Sequence, residues 1–165
     1  MWPFRKKKKP SQARIEMSFG SPRETEAYAL YSKKYPALDR HFKITERLQH
    51  TYTPSSERAV ETSIKICQEL IAMSKDAKAA WLQQEEDRAK ADKLLGDKSH
   101  NRLSLPSHLG FRQYAIILEK RGDLQDAVRV AKQAQAEGWN GDWPKRIARC
   151  EAKVAKAQAS SNKSR

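Results

Sequence analysis

Glycine is scarce in this sequence, with six among 165 residues, and each stands alone rather than beside another. A phosphate-cradling loop needs several close together so that backbone amides can approach an anion, and no such loop is present. Cysteine is scarcer still. Cys67 and Cys150 have no CxxC partner and no histidine at ligand spacing, which excludes a disulfide framework or a zinc knuckle. No apolar run approaches the roughly 20 residues that span a bilayer. Stretches rich in valine, isoleucine and threonine are few, which argues against a sheet protein.

Catalytic groups are missing in the same way. His41, His50, His100 and His108 are scattered, with no carboxylate or cysteine at metal spacing, and read as surface or structural residues. Cys67 and Cys150 fall on apolar stripes and read as small buried hydrophobes, with no base nearby in sequence to activate them. The carboxylates Glu85, Glu86 and Asp87 are expected on a solvated helix face, and Asp123 and Asp126 at a helix start. No catalytic residue, metal, cofactor or small-molecule substrate is implied, and a protein without enzymatic activity is expected.

What the chain has in quantity is alanine, glutamine, glutamate and lysine, side chains that lose little rotamer freedom in a helix. It also has a net charge of +13, placed unevenly. Residues 1–14 hold Arg5, Lys6, Lys7, Lys8, Lys9 and Arg14 and no acid, and residues 145–165 hold seven basic residues against Glu151 alone. The remaining 20 basic and 19 acidic residues leave residues 15–144 near neutrality. Such a pattern describes basic ends on a neutral body, able to touch nucleic acid or another polyanion through Arg5 to Lys9, Arg146 and Arg149. Trp2 and Phe4 beside the lysine run could instead rest on an anionic membrane surface. The opening residues carry no apolar stretch of a signal peptide, so a soluble cytoplasmic protein is expected.

Helix boundaries are readable from local chemistry. Ser21-Pro22-Arg23-Glu24 forms a capping box with proline at the first helical position, opening a helix to about residue 34 that Tyr35-Pro36 breaks. A helix over 37–51 is expected to bury Leu38, Phe42, Thr45 and Leu48. Thr53-Pro54 is expected to open a central helix reaching about residue 73, with two adjacent apolar stripes. Residues 76–95 continue as a helix exposed in its middle, QQEEDR, and residues 96–107 form a loop. Further helices over 107–121 and 124–137 flank Gly122-Asp123, and a last one follows Asp142. Trp139 and Trp143 are expected to plug the end of the last hairpin.

The stretch FRQYAIILEKRGDLQDAVRVAKQAQAEGW resembles one tetratricopeptide repeat, a helical hairpin that stacks into partner-binding arrays. Phe111, Tyr114, Ala115, Leu118, Gly122-Asp123, Ala127 and Ala134 match the repeat's pattern, while Ala131 replaces a large aromatic and Trp139 a proline. The hairpin covers about 108–139, and residues 37–73 carry a degenerate echo of it. The C-terminal half is also similar to a set of uncharacterised bacterial proteins bearing this hairpin. The resemblance implies a concave face lined by Leu109, Arg112, Ile116 and Glu119 that takes a helix or peptide of another protein, or a second copy of the chain. Repeats that grip a terminal carboxylate carry a basic residue and an asparagine at the positions of Arg112 and Ile116; the isoleucine departs from that clamp. The expected organisation is a basic arm (1–20), one all-α domain (21–159) and a disordered basic tail (160–165). Within the domain, about six helices pack as consecutive hairpins, in a short tetratricopeptide-like array or a compact bundle.

Overall fold

The computed structural model describes residues 20–97 and 104–163, with side chains to 159. Its elements are all α-helices: α1 (Pro22–Tyr31), α2 (Pro36–Thr51), α3 (Glu57–Ala72), α4 (Ser74–Leu95), α5 (Leu109–Arg121), α6 (Leu124–Glu137) and α7 (Trp143–Lys163). That is seven helices among the described residues where about six were expected, and α7 continues past the expected boundary at residue 159.

Local chemistry explains most of the ends. The Ser21 hydroxyl accepts from the Glu24 amide at 3.3 Å, and the Glu24 carboxylate accepts from the Ser21 amide at 2.5 Å. Helix α3 begins later than Thr53-Pro54 suggested, because Pro54 sits in a turn and the Ser56 hydroxyl caps the Ala59 amide at 3.3 Å. Gly122 and Gly138 close α5 and α6 with φ of +86° and +84°, a left-handed conformation that a Cβ makes costly. Asp123 precedes α6 without making a side-chain cap.

Packing follows a ladder in which α2 lies on α3, α3 on α5, α5 on α6 and α6 on α7. Arg121 at the end of α5 reaches Glu57 at 2.8 Å and Glu61 at 2.6 Å on α3. Helices α1 and α4 depart from consecutive pairing. Helix α4 starts directly after Met73, touches α3 little, packs on α2, and carries α1 along its length. Its first turns reach the far side of the ladder, where Lys78 Nζ donates to the Glu137 carbonyl at 2.7 Å and Ala77 is fully buried.

The core has two parts. One gathers Phe111, Ala115, Leu118, Ala127, Ala131, Trp139, Trp143 and Cys150 from α5, α6 and α7, together with Ala77 of α4. The second joins Ile44, Leu48, Ile66, Cys67 and Leu70 from α2 and α3, and Tyr114 of α5 packs against both. Trp139 and Trp143 thus fill the end of the last hairpin, and the Trp143 indole donates to the Trp139 carbonyl at 2.7 Å. On α2 the inward residues are Leu38, His41, Ile44 and Leu48. Phe42, expected inside, is half exposed, because His41 takes the inward position one residue earlier.

Candidate functional site

Two concave features lie near the starts of α5 and α7. The segments before these helices are tied together where the Asn140 amide donates to the Pro106 carbonyl at 3.2 Å, within a single parallel bridge between Ser107 and Asn140. This brings the two helix N-termini side by side.

The first feature is a groove of about 310 Å³ lined by Ser107, Arg112, Ile116, Gly141, Asp142, Trp143 and Arg146. Arg112 is exposed and makes no hydrogen bond or ion pair among the described residues, and Ile116 beside it is half-buried. The other two residues of the expected concave face are placed differently. Leu109 turns toward the second part of the core and lines a separate cavity. Glu119 is enclosed by two arginines of α7: it accepts from Arg146 and, at 2.9 Å, from Arg149. The same arrangement corrects the reading of Arg146 as an open polyanion contact, since its side chain is only 7% exposed and neutralised by Glu119. Arg149 remains half exposed but shares that carboxylate, which raises its pKa through hydrogen bonding. The sequence spacing of the two arginines could not reveal a carboxylate on another helix. Trp2, Phe4, Arg5, Lys6, Lys7, Lys8 and Lys9 lie outside the described residues.

The second feature is a cavity of about 250 Å³ lined by Leu38, His41, Phe42 and Thr45 of α2, Trp81 of α4, Pro106, Ser107 and Leu109 before and at the start of α5, and Trp139. Behind it stands His108, fully buried, whose Nδ1 caps α5 by accepting from the Phe111 amide at 3.2 Å. The His108 ring lies 4.8 Å from that of His41 and 4.7 Å from that of Trp139, and the His41 and Trp139 rings stack within 5° of parallel. Burial pushes the pKa of His108 down to about 4; the neighbouring His41 adds to this, and Glu137 and the Leu70 carbonyl oppose it. Burial lowers His41 as well, so both imidazoles are neutral at pH 7. Because Nδ1 accepts, the proton of His108 sits on Nε2, which has no hydrogen-bond partner. His41 Nδ1, Thr45 Oγ1 and Trp81 Nε1 are likewise buried without partners. The histidines looked solitary in sequence, and only the fold brings two of them together. His50 stays on the surface 4.0 Å from Glu46, and His100 lies outside the described residues.

A third arrangement is structural. Asp87, expected on a solvated face, is 3% exposed and accepts from Lys33 at 2.5 Å, Tyr35 at 2.8 Å and Gln83 at 3.2 Å. The Lys33 hydrogen bond leads in holding its pKa below the usual carboxylate range, and burial followed by the Asp87 contact pushes Tyr35 up to about 12. Asp87 pins the α1–α2 connection to α4. Cys67 and Cys150 are both fully buried; burial pushes the Cys67 thiol up to about 12 and also raises Cys150, the opposite of what a nucleophile needs. Among the described residues no group of histidines, cysteines and carboxylates is arranged to hold a metal ion, and no helix is long and apolar enough to cross a membrane. No protein-family model matches the chain, and no curated protein or solved structure shows a significant match to it.

Proposed function

We propose that the chain is a protein-interaction module that docks a peptide or helix of a partner protein in the groove between α5 and α7. Arg112 carries this reading: a guanidinium at the protein surface without an internal partner, one turn from Ile116 and beside the buried Trp143. A planar guanidinium recognises a carboxylate through paired hydrogen bonds, and Ile116 offers an apolar contact alongside. Glu119 does not oppose an incoming acid because Arg146 and Arg149 neutralise it. The expected occupant therefore presents an acidic side chain to Arg112 and an aliphatic one to Ile116. A cytoplasmic setting, where both thiols remain reduced, accompanies this reading.

A photo-crosslinking residue placed at position 116 in source cells tests it. A discrete protein adduct that disappears with Arg112→Glu, and does not form from position 65 on exposed α3 surface, is the expected result. An adduct of twice the chain's mass would identify the partner as a second copy. No adduct from position 116, or one indifferent to Arg112→Glu, overturns the reading.

Residues 1–14, with six basic residues and no acid, support a second reading, association with nucleic acid or an anionic membrane. Binding through phosphate contacts would fall steeply with salt and vanish when residues 1–14 are removed.

A further inference from the structure

The cavity between α2, α4 and the start of α5 is unlike the groove in both shape and chemistry. It is mostly apolar in its lining residues, yet three of them hold polar atoms that are buried and unpartnered: His41 Nδ1, Thr45 Oγ1 and Trp81 Nε1. A fourth, His108 Nε2, lies in the ring layer directly behind His41 and Trp139. The only other unpartnered buried side-chain polar atoms among the described residues, Gln113 Nε2 and Arg146 Nε, lie on α5 and α7. Buried polar atoms are costly to leave unpaired, and four gathered around one cavity mark it as a place where a hydrogen-bonding group belongs.

The types of these atoms define the complement. An indole N–H only donates, and His108 Nε2 donates because Nδ1 is already engaged by the Phe111 amide. The Thr45 hydroxyl both donates and accepts. The set is rich in donors. The nearby cations are engaged elsewhere, Lys78 with the Glu137 carbonyl and Lys33 with Asp87, so no fixed positive charge faces the cavity. At roughly 30 Å³ for a water-sized group, about 250 Å³ holds some eight such groups, the size of a single-ring molecule.

We propose that this cavity binds a small, uncharged, single-ring molecule bearing a carbonyl-type acceptor. The ring lies among Leu38, Phe42, Leu109 and Trp139, and the acceptor takes the hydrogen bond of Trp81 Nε1 or the Thr45 hydroxyl. Trp81 and Thr45 are half-buried, which leaves their side chains room to turn toward a ligand. An aliphatic side chain from a protein partner would fill the space and leave every donor unpaired. The site is independent of the groove at Arg112, and a ligand here leaves the interaction reading untouched.

The test compares acetophenone with ethylbenzene, nearly the same shape without the acceptor, titrated into the ¹⁵N-labelled full chain. Acetophenone is expected to bind about tenfold more tightly, the ratio that one buried hydrogen bond supplies, and to move the Trp81 indole resonance. Trp81→Phe and the near-isosteric Thr45→Val are each examined, and at least one should erase that preference; Thr45→Val keeps the side-chain shape if the tryptophan variant folds poorly. Equal affinity for the two compounds would make the cavity a slot for an apolar anchor and overturn the proposal. So would the absence of binding, resonance changes confined to residues away from the cavity, or a preference that survives both substitutions.

Discussion

His108 holds the first turn of α5 only while its Nδ1 carries no proton, because that nitrogen accepts the Phe111 amide. Protonation would break the cap inside a closed layer of rings and place a charge beside His41. The unfolded histidine titrates near 6.5 and the folded one near 4, so between these values the unfolded chain binds more protons. The contribution of neutral His108 to stability is therefore complete above about pH 6.5 and is lost as the pH falls toward 4. A shift of that size corresponds to about 3 kcal/mol, reduced in part by any relaxation around the ring. Urea melts from pH 7.5 to 4.5 should show this decline, His41 contributing in the same direction. The variant His108→Asn keeps a capping side chain and should flatten most of the decline; an unaltered slope would assign the effect elsewhere. Sequence offered little warning of this residue. His108 precedes a helix start, which hints at a cap, but His41 is distant in the chain and only the fold puts the rings together.

At the scale of elements, the approach of α3 to α5 depends on a missing side chain. A Cβ on Gly110 would stand 2.7 Å from Leu70 Cβ and 3.3 Å from the Cys67 carbonyl oxygen, contacts that backbone on the facing helix cannot easily relieve. Gly110→Ala would gain about 1 kcal/mol in helix propensity. Forcing the two helices apart costs about 1–3 kcal/mol, so a net loss of stability is expected. A lowered urea midpoint checks it, and an unchanged one would show that the pair separates freely. The elements themselves were largely legible, since caps such as Ser21 with Glu24 and stops such as Gly138 act within a few residues. Where legibility failed, the cause was distant. Asp87 reads as part of a wet helix face because Lys33 and Tyr35, its partners, lie on another segment. Helix α4 was expected to continue a hairpin series, and no local signal announces that it crosses to α2 and receives α1 instead.

For the molecule as a whole, the all-helical architecture and the apolar stripes were evident from periodicity, while the surface chemistry was only half evident. Arg112 and Ile116 share a face because they are one turn apart, but the fate of Glu119 and Arg146 depended on how α7 returns against α5. The cavity was invisible, being built from α2, α4 and two loops. The two cysteines, noted above for what they cannot do, give the molecule a clock. Cys67 sits in the part of the core shared by α2 and α3, and Cys150 in the part shared by α5, α6 and α7. Both are sealed, so a thiol reagent can label either one only when its surroundings open, and the labelling rate reads how often that happens. Helix α7 ends the ladder and rests chiefly on α6, so Cys150 is expected to be labelled before Cys67 in urea well below the unfolding midpoint. Equal rates would mean that the two parts of the core open together. Without any substitution, the chain can thus report separately how often each part of its core comes apart.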